Sequence, residues 1–255
     1  MNTRRSWSFT PDEFAWVWAE TGADEYPYPI SIIESPSTMD EYVRLRADIR
    51  TRYPHNGDPD LSGPLRVLVN PDLRIISTGR SRLSAKRARA VAAAVGELGV
   101  VLFQQPGPMP EFGGDLKLVV TQRANLARQV AATMPPADPG ARDRMIGYTP
   151  RVRGHEGAAS WSDDRDGRAP VDSRIRALLR APRRAEGTVC IERYLHDRNP
   201  APRKYLYWID IRDDHAAKGR YLIDVDDHDT VVLPATAAVV ANEISRYAEL
   251  DSRIE

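Results

Sequence analysis

Apolar positions recur along this chain in two series of the same kind. Around Leu65 the sequence reads PLRVLVNP and passes into extended segments; around Ile175 it reads RIRALLRAP and does so again, and each series closes with a helix. The second series is the plainer one. From Lys204 to Leu250 the stretch KYLYWIDIRDDHAAKGRYLIDVDDHDTVVLPATAAVVANEISRYAEL gives strands broken at aspartate-rich turns and then a helix. The shared order of elements predicts a pseudo-symmetric body built on one continuous sheet. Such a body suits a binding platform better than a catalytic pocket.

The pattern places the first half's elements as follows. Thr10-Pro11-Asp12-Glu13 opens a helix: the threonine hydroxyl caps the N3 amide, proline takes N1 and Glu13 completes a capping box. Phe14, Val17 and Trp18 form its apolar stripe, Gly22 ends it, and Trp16 lies off the stripe as a second packed edge. Thr38 and Glu41 repeat the box for a helix carrying Tyr42, Leu45 and Ile49 that stops near Tyr53-Pro54. A short helix from Leu65 to Asn70 precedes a strand through Leu73 and Ile75 that ends near Gly79. The stretch KRARAVAAAV, 86–95, favours helix by alanine content, but Gly96-Glu97 reads as a hairpin turn before GVVLFQQ, so it is assigned as strand. Asp115 to Thr121 is a strand with Leu116, Leu118 and Val120 on one face, and a helix with Leu126 and Val130 inward follows to Met134.

Residues 137–170 break the pattern. They are dense in glycine, proline and charge without a sustained period, which predicts a long mobile loop. Its first part carries Arg142, Arg144, Arg151 and Arg153 and its second Asp163, Asp164 and Asp166, so the loop reads first as a self-neutralising solvated segment, with partner binding as the alternative. Beyond it come a helix with Ile175, Leu178 and Leu179, strands at 189–195, 205–211, 220–225 and 230–233, and a last helix with Ala237, Val240, Ile244 and Tyr247 inward. The expected organisation is one domain over 1–255, with halves of about 1–136 and 171–255 joined by the loop.

Composition narrows the function. Lysine plus arginine equals aspartate plus glutamate at 36 each, so the chain has no global field to hold nucleic acid or an anionic membrane. No run approaches the roughly 20 apolar residues that span a bilayer. The single cysteine, Cys190, sits among apolar strand residues as a small buried side chain, and MNTRRSWSFTPDEF lacks the apolar core of a signal peptide, so a cytoplasmic location is expected.

The sharpest chemical candidates are two acidic clusters, Asp210-Ile211-Arg212-Asp213-Asp214-His215 and Asp224-Val225-Asp226-Asp227-His228-Asp229. Carboxylate and imidazole are metal-ligand types. A metal-dependent hydrolase using Asp210, Asp213, His215, Asp226 and His228 is therefore the alternative function. Against it, both clusters fall at strand ends, where aspartate caps turns, and adjacent strand residues point to opposite faces. Phosphate-loop, dinucleotide, zinc-helix and CxxC motifs are lacking. Ser160 stands in no nucleophile elbow, and His55, His155 and His196 are scattered through expected turns.

Five segments, in order, carry a family resemblance: FTPDEFAWVWAETGADEYPYPI, DPDLSGPLRVLVNP, DLKLVVTQRANLARQVAATMP, YWIDIRDDHAAKGRYLIDV and PATAAVVANEI. They resemble the EspG family, cytosolic chaperones of actinobacterial type VII (ESX) secretion. The resemblance implies an α+β fold, a central twisted antiparallel sheet flanked by helices with a quasi-two-fold repeat, and it supports strand over helix at 86–95. It implies no enzyme activity and no cofactor. The implied partner is a PE-PPE heterodimer, bound at the helical tip of its PPE member, with the ESX machinery engaged indirectly. Family contacts map onto Leu73 to Ser77, Ser81 to Lys86, Lys117 to Thr121 and the helix after Pro234. Within them Arg80, Arg82, Lys86 and Arg87 are the expected polar contacts and Leu83 the apolar anchor, on a loop that is short for the family. Oligomeric state stays open between monomer and dimer, since an exposed strand edge either pairs or is blunted by charge.

Overall fold

The structure is a computed structural model, and it describes residues 6–157 and 169–250. In chain order the first half contains β1 (Ser6–Phe9), α1 (Pro11–Ala19), α2 (Met39–Arg52), α3 (Pro59–Val69), β2 (Leu73–Ser81), β3 (Arg87–Val95), β4 (Leu98–Pro106), β5 (Gly113–Gln122) and α4 (Leu126–Thr133). The second contains β6 (Met145–Tyr148), α5 (Thr149–Arg153), α6 (Val171–Arg180), β7 (Arg183–Arg193), β8 (Lys204–Ile211), β9 (Gly219–Val225), β10 (Asp229–Pro234) and α7 (Ala237–Ala248). All ten strands join one antiparallel sheet in the order β1-β5-β4-β3-β2-β7-β8-β9-β10-β6. The order is a palindrome of the two halves. Each meander runs outward from the central β2–β7 pair, and each half's first strand returns to cover the edge of its last.

The repeat holds in the packing. Leu126 and Val130 of α4 with Met134 just after it have the spacing of Val240, Ile244 and Ala248 of α7, and both triplets are buried in one cluster on the same sheet face. Strand registers put Ile75, Ala92 and Val101 of one half, with Val189 and Leu206 of the other, on that face. On the opposite face α1 and α3 cover the first half through Phe14, Leu65, Val91 and Leu102, while α5 and α6 cover the second through Val152, Ile175 and Ile223. One face thus carries a central helix pair. The other carries two helical layers at the flanks, with the middle of the sheet between them.

Both capping boxes form as the sequence predicts, at Thr10 with Glu13 and at Thr38 with Glu41. Trp16 is the packed edge: its indole donates to the Tyr53 carbonyl at 2.9 Å, and Arg46 lies over its ring. Residues 87–95 are a strand because Val91 to Ala94 are buried from both faces, and alanine there leaves room for helices on each side. Gly96, at φ +55°, makes the turn to β4.

Three expectations are corrected. The helix before β2 starts at Pro59, not Leu65, because Asp58 caps it by accepting from the amides of Asp60 and Leu61. Strand β7 begins at Arg183 rather than Val189; its first half reads as polar because it faces the open middle of the sheet. The segment 137–170 is no continuous mobile loop. Pro139 bridges to Arg220, and Met145–Tyr148 pairs with β10 as an edge strand before α5. Elements of four and five residues are too short to show a period. Ser160, Asp163, Asp164 and Asp166 lie in 158–168, outside the described residues.

One tryptophan fills the centre of the α4/α7 face. Gly79 and Gly187 are cross-strand partners, and a Cβ on either would sit 2.4 or 2.5 Å from the Trp208 ring. Arg220 lies 4.8 Å from the ring centroid on Trp208 and makes two bonds to Asp210, at 2.7 and 2.8 Å. Laying α4 on α7 and counting back through the registers puts Ala94 and Gly99 where Asp210 and Arg220 stand. The buried ion pair therefore answers a need of the second half alone. That need is the crossover from α4: Arg220 also donates to the Pro135 carbonyl at 2.8 Å, and its backbone bonds to Asp138 and Gly140.

Candidate protein-binding surface

The β2–β3 hairpin ends in the loop 82–86, standing between two open clefts. On the α4/α7 face, a cleft of about 730 Å³ runs from the hairpin across β4 and β5 to the end of α4. On the opposite face, one of about 680 Å³ lies over Thr78, Thr188 and Tyr207, with Tyr28 and Ile30 at its side. Strand alternation creates this arrangement. Side chains at successive β2 positions leave by opposite faces, so one short hairpin borders both.

The five residues expected from sequence come together here, though not equally free. Leu83 is 66% exposed at the loop, and Lys86 and Arg87 are exposed without an ion pair among the described residues. Arg80 and Arg82 instead share the Glu186 carboxylate of β7, which Arg183 also holds; Arg80 Nε donates to it at 2.8 Å. Burial pushes the Glu186 carboxyl up, but hydrogen bonds from Arg183 and Arg80 and the charge of Arg82 outweigh it and hold its pKa below the ordinary value. Arg80 and Arg87 are direct cross-strand partners, and like charges so placed repel. Glu186 neutralises one side of that pair and leaves Arg87 to solvent. Arg89, buried, donates to the carbonyls of Pro110 and Glu111 at 2.7 and 3.0 Å, and burial followed by the charge of Arg87 lowers its pKa.

The mapped family segments fare differently. Leu73 and Ile75 are buried beneath α4 and α7, whereas Lys117 and Val119 line the cleft on that face. Sequence reasoning missed Arg183, Arg184 and Glu186, since 183–188 fell in a presumed gap before β7. The signal that was available is the cluster RRAE after the RALLRAP helix, which carries enough charge to mark an open strand.

The metal-site alternative is overturned by geometry. Asp210 is closed by Arg220, Asp214 pairs with Arg212 at 2.7 Å, and Asp213 points to solvent with a 78% exposed side chain. His215 Nδ1 accepts from the Ala217 amide, and Asp226 accepts from the amides of His228 and Asp229, both turn-forming contacts. The two clusters stand at opposite ends of β9, about 20 Å apart for seven residues. Among the described residues no group of three or more ligand-type side chains is placed to hold a metal. Nor is any described helix long and apolar enough to cross a membrane.

A continuous sheet with a central hairpin between open clefts, and acidic side chains spent on turns, defines a protein-binding platform. The EspG family model matches residues 10–246, and the chain belongs to the EspG family. Among solved structures it is similar to the Mycobacterium tuberculosis type VII secretion system chaperone EspG5, determined in complex with a PE25-PPE41 dimer. The TM-score is 0.59 at 15% identity, covering 94% of this chain and 95% of that one, a likeness of fold. A comparison with curated proteins finds no match.

Proposed function

We propose that this chain is a cytosolic, non-enzymatic specificity chaperone. It binds the helical tip of the PPE-type member of a PE-PPE heterodimer, keeps that pair soluble and directs it to a type VII (ESX) secretion system. The observation that carries the reading is membership of the EspG family across nearly the whole described chain. The similar EspG5 structure, which holds such a dimer, supports it. A helical hairpin with an apolar tip aggregates when exposed, and an apolar cleft rimmed with charge sequesters it without chemistry. The two halves and the crossover act as one unit, with Arg80, Arg82, Leu83, Lys86 and Arg87 as the contacting residues. Leu83 supplies the anchor and the cations the rim.

Co-expression with PE-PPE pairs of the same genome, followed by size-exclusion chromatography, tests the function. A one-to-one-to-one complex is expected, with the PPE partner insoluble when this chain is omitted; failure with every pair refutes it. Arg82→Glu with Arg87→Glu is expected to weaken client binding more than Arg151→Glu with Arg153→Glu. The opposite order moves the interface to the segment after β6.

A further inference from the structure

The cleft on the α4/α7 face is far from neutral in a chain whose charges balance overall. The basic side chains on this face are Lys86, Lys117 and Arg184; Arg80, Arg87 and Arg89 border the cleft but share the register of Val91 and project toward the opposite face, and the only carboxylate among the cleft's described lining residues is Asp210. That carboxylate is spent, since both its oxygens are bonded to Arg220. The floor is apolar: Val101, the half-buried Phe103 and Val119, and Met134 followed by Pro135. Lys86 and Lys117 stand exposed at the rim, and Arg184 meets the solvent-exposed Asp213, at 3.7 Å.

We propose that this cleft takes an acidic segment of the client carrying bulky apolar side chains, the apolar groups resting on Phe103 and Val119 and the carboxylates meeting Lys86, Lys117 and Arg184. The proposal rests on the chaperone reading and adds the chemistry of the recognised segment. Charge of one sign over an apolar, low-dielectric floor attracts the opposite sign and rejects its own. Glu186 has a part in this selection. It draws Arg80 and Arg82 toward β7, which leaves Lys86 as the hairpin's contribution to this rim. Phe103 is the one aromatic ring in the cleft's described lining, whereas a nucleic-acid strand needs a succession of stacking surfaces.

Two variants avoid the hairpin residues already assigned to client contact. Lys117→Glu with Arg184→Glu reverses the far rim, and Ala132→Trp, at an exposed α4 position, fills the cleft without touching the core. Binding is measured to a purified PE-PPE pair and, separately, to a fluorescein-labelled decapeptide alternating leucine and glutamate. A leucine-lysine decapeptide and a single-stranded oligonucleotide are the controls. The glutamate peptide is expected to bind and the lysine peptide not, with both variants weakening peptide and PE-PPE pair about tenfold and binding falling as salt rises. Wild-type affinity for the PE-PPE pair in both variants overturns the cleft assignment while leaving the chaperone reading intact. Tighter binding of the oligonucleotide than of the acidic peptide also overturns it. Failure of the wild-type chain to bind any PE-PPE pair sinks the chaperone reading, and the peptide titration still decides what the cleft accepts.

Discussion

Removing the Asp210 carboxylate, as Asp210→Ala, isolates the most enclosed charge among the described residues. The Asp210 and Arg220 side chains are 1% and 4% exposed, and the two bonds between them place opposite charges about 4 Å apart by group centre. At an effective dielectric near 20 that attraction is about 4 kcal/mol, offset by a desolvation penalty of several kcal/mol per ion. The pair therefore adds little net stability over an apolar pair, and the first half shows as much by placing Ala94 and Gly99 at the same positions. Breaking it is different. Arg220 would keep the Pro135 carbonyl and the Trp208 ring but lose its counter-charge, so Asp210→Ala is expected to lose about 3–5 kcal/mol. Asp210→Leu with Arg220→Met restores apolar packing and leaves only the Pro135 carbonyl short of a donor, an expected loss of about 1–2 kcal/mol. Urea unfolding followed by circular dichroism reads both, with unchanged m-values as the check that the unfolded state is the same. Asp210→Ala within about 1 kcal/mol of wild type, or a double variant as unstable as the single, refutes the reasoning.

Gly187→Ala drives a methyl to within 2.0 Å of the Thr78 carbonyl and 2.5 Å of Trp208, so a loss of about 1–3 kcal/mol and a changed tryptophan near-UV spectrum are expected. The reasoning fails if the spectrum and the urea midpoint stay as in wild type. Glu186→Gln is expected to lose about 1–2 kcal/mol at pH 7. Its folded pKa lies below the unfolded one, so the carboxylate's contribution is present above the unfolded value and vanishes as pH falls through the folded value. Wild-type and variant stabilities should therefore draw together as pH falls below the unfolded carboxylate value. A gap that stays constant from pH 7 to pH 3 contradicts the arginine cluster as its source.

How much was legible varies by element for physical reasons. The helix starts at Thr10 and Thr38 were readable because a capping box is closed by residues three apart, and nothing distant alters it. The strand at 87–95 was readable only against its alanine content, through the Gly96 turn and the family resemblance. Strand β6 and helix α5 were not readable, because four and five residues carry no period and β6 exists through its pairing with β10. The hairpin residues Arg80, Arg82, Leu83, Lys86 and Arg87 were found from sequence. Glu186, which decides which of those cations remain free, sits 104 residues from Arg82 and 106 from Arg80.

The sequence by itself determined the element order, the two-part recurrence and the EspG resemblance, because capping, turn chemistry and apolar period act over a few residues. Only the tertiary structure decided which face each strand opens and that the hairpin separates two clefts. It alone decided that Asp210 pairs with Arg220, that Asp224 is held by Lys204 and Tyr247, and that Asp226 closes a turn. Those outcomes depend on strand register and on ion pairs between distant segments, and a linear pattern of residue types encodes neither until the sheet has closed around its central β2–β7 pair.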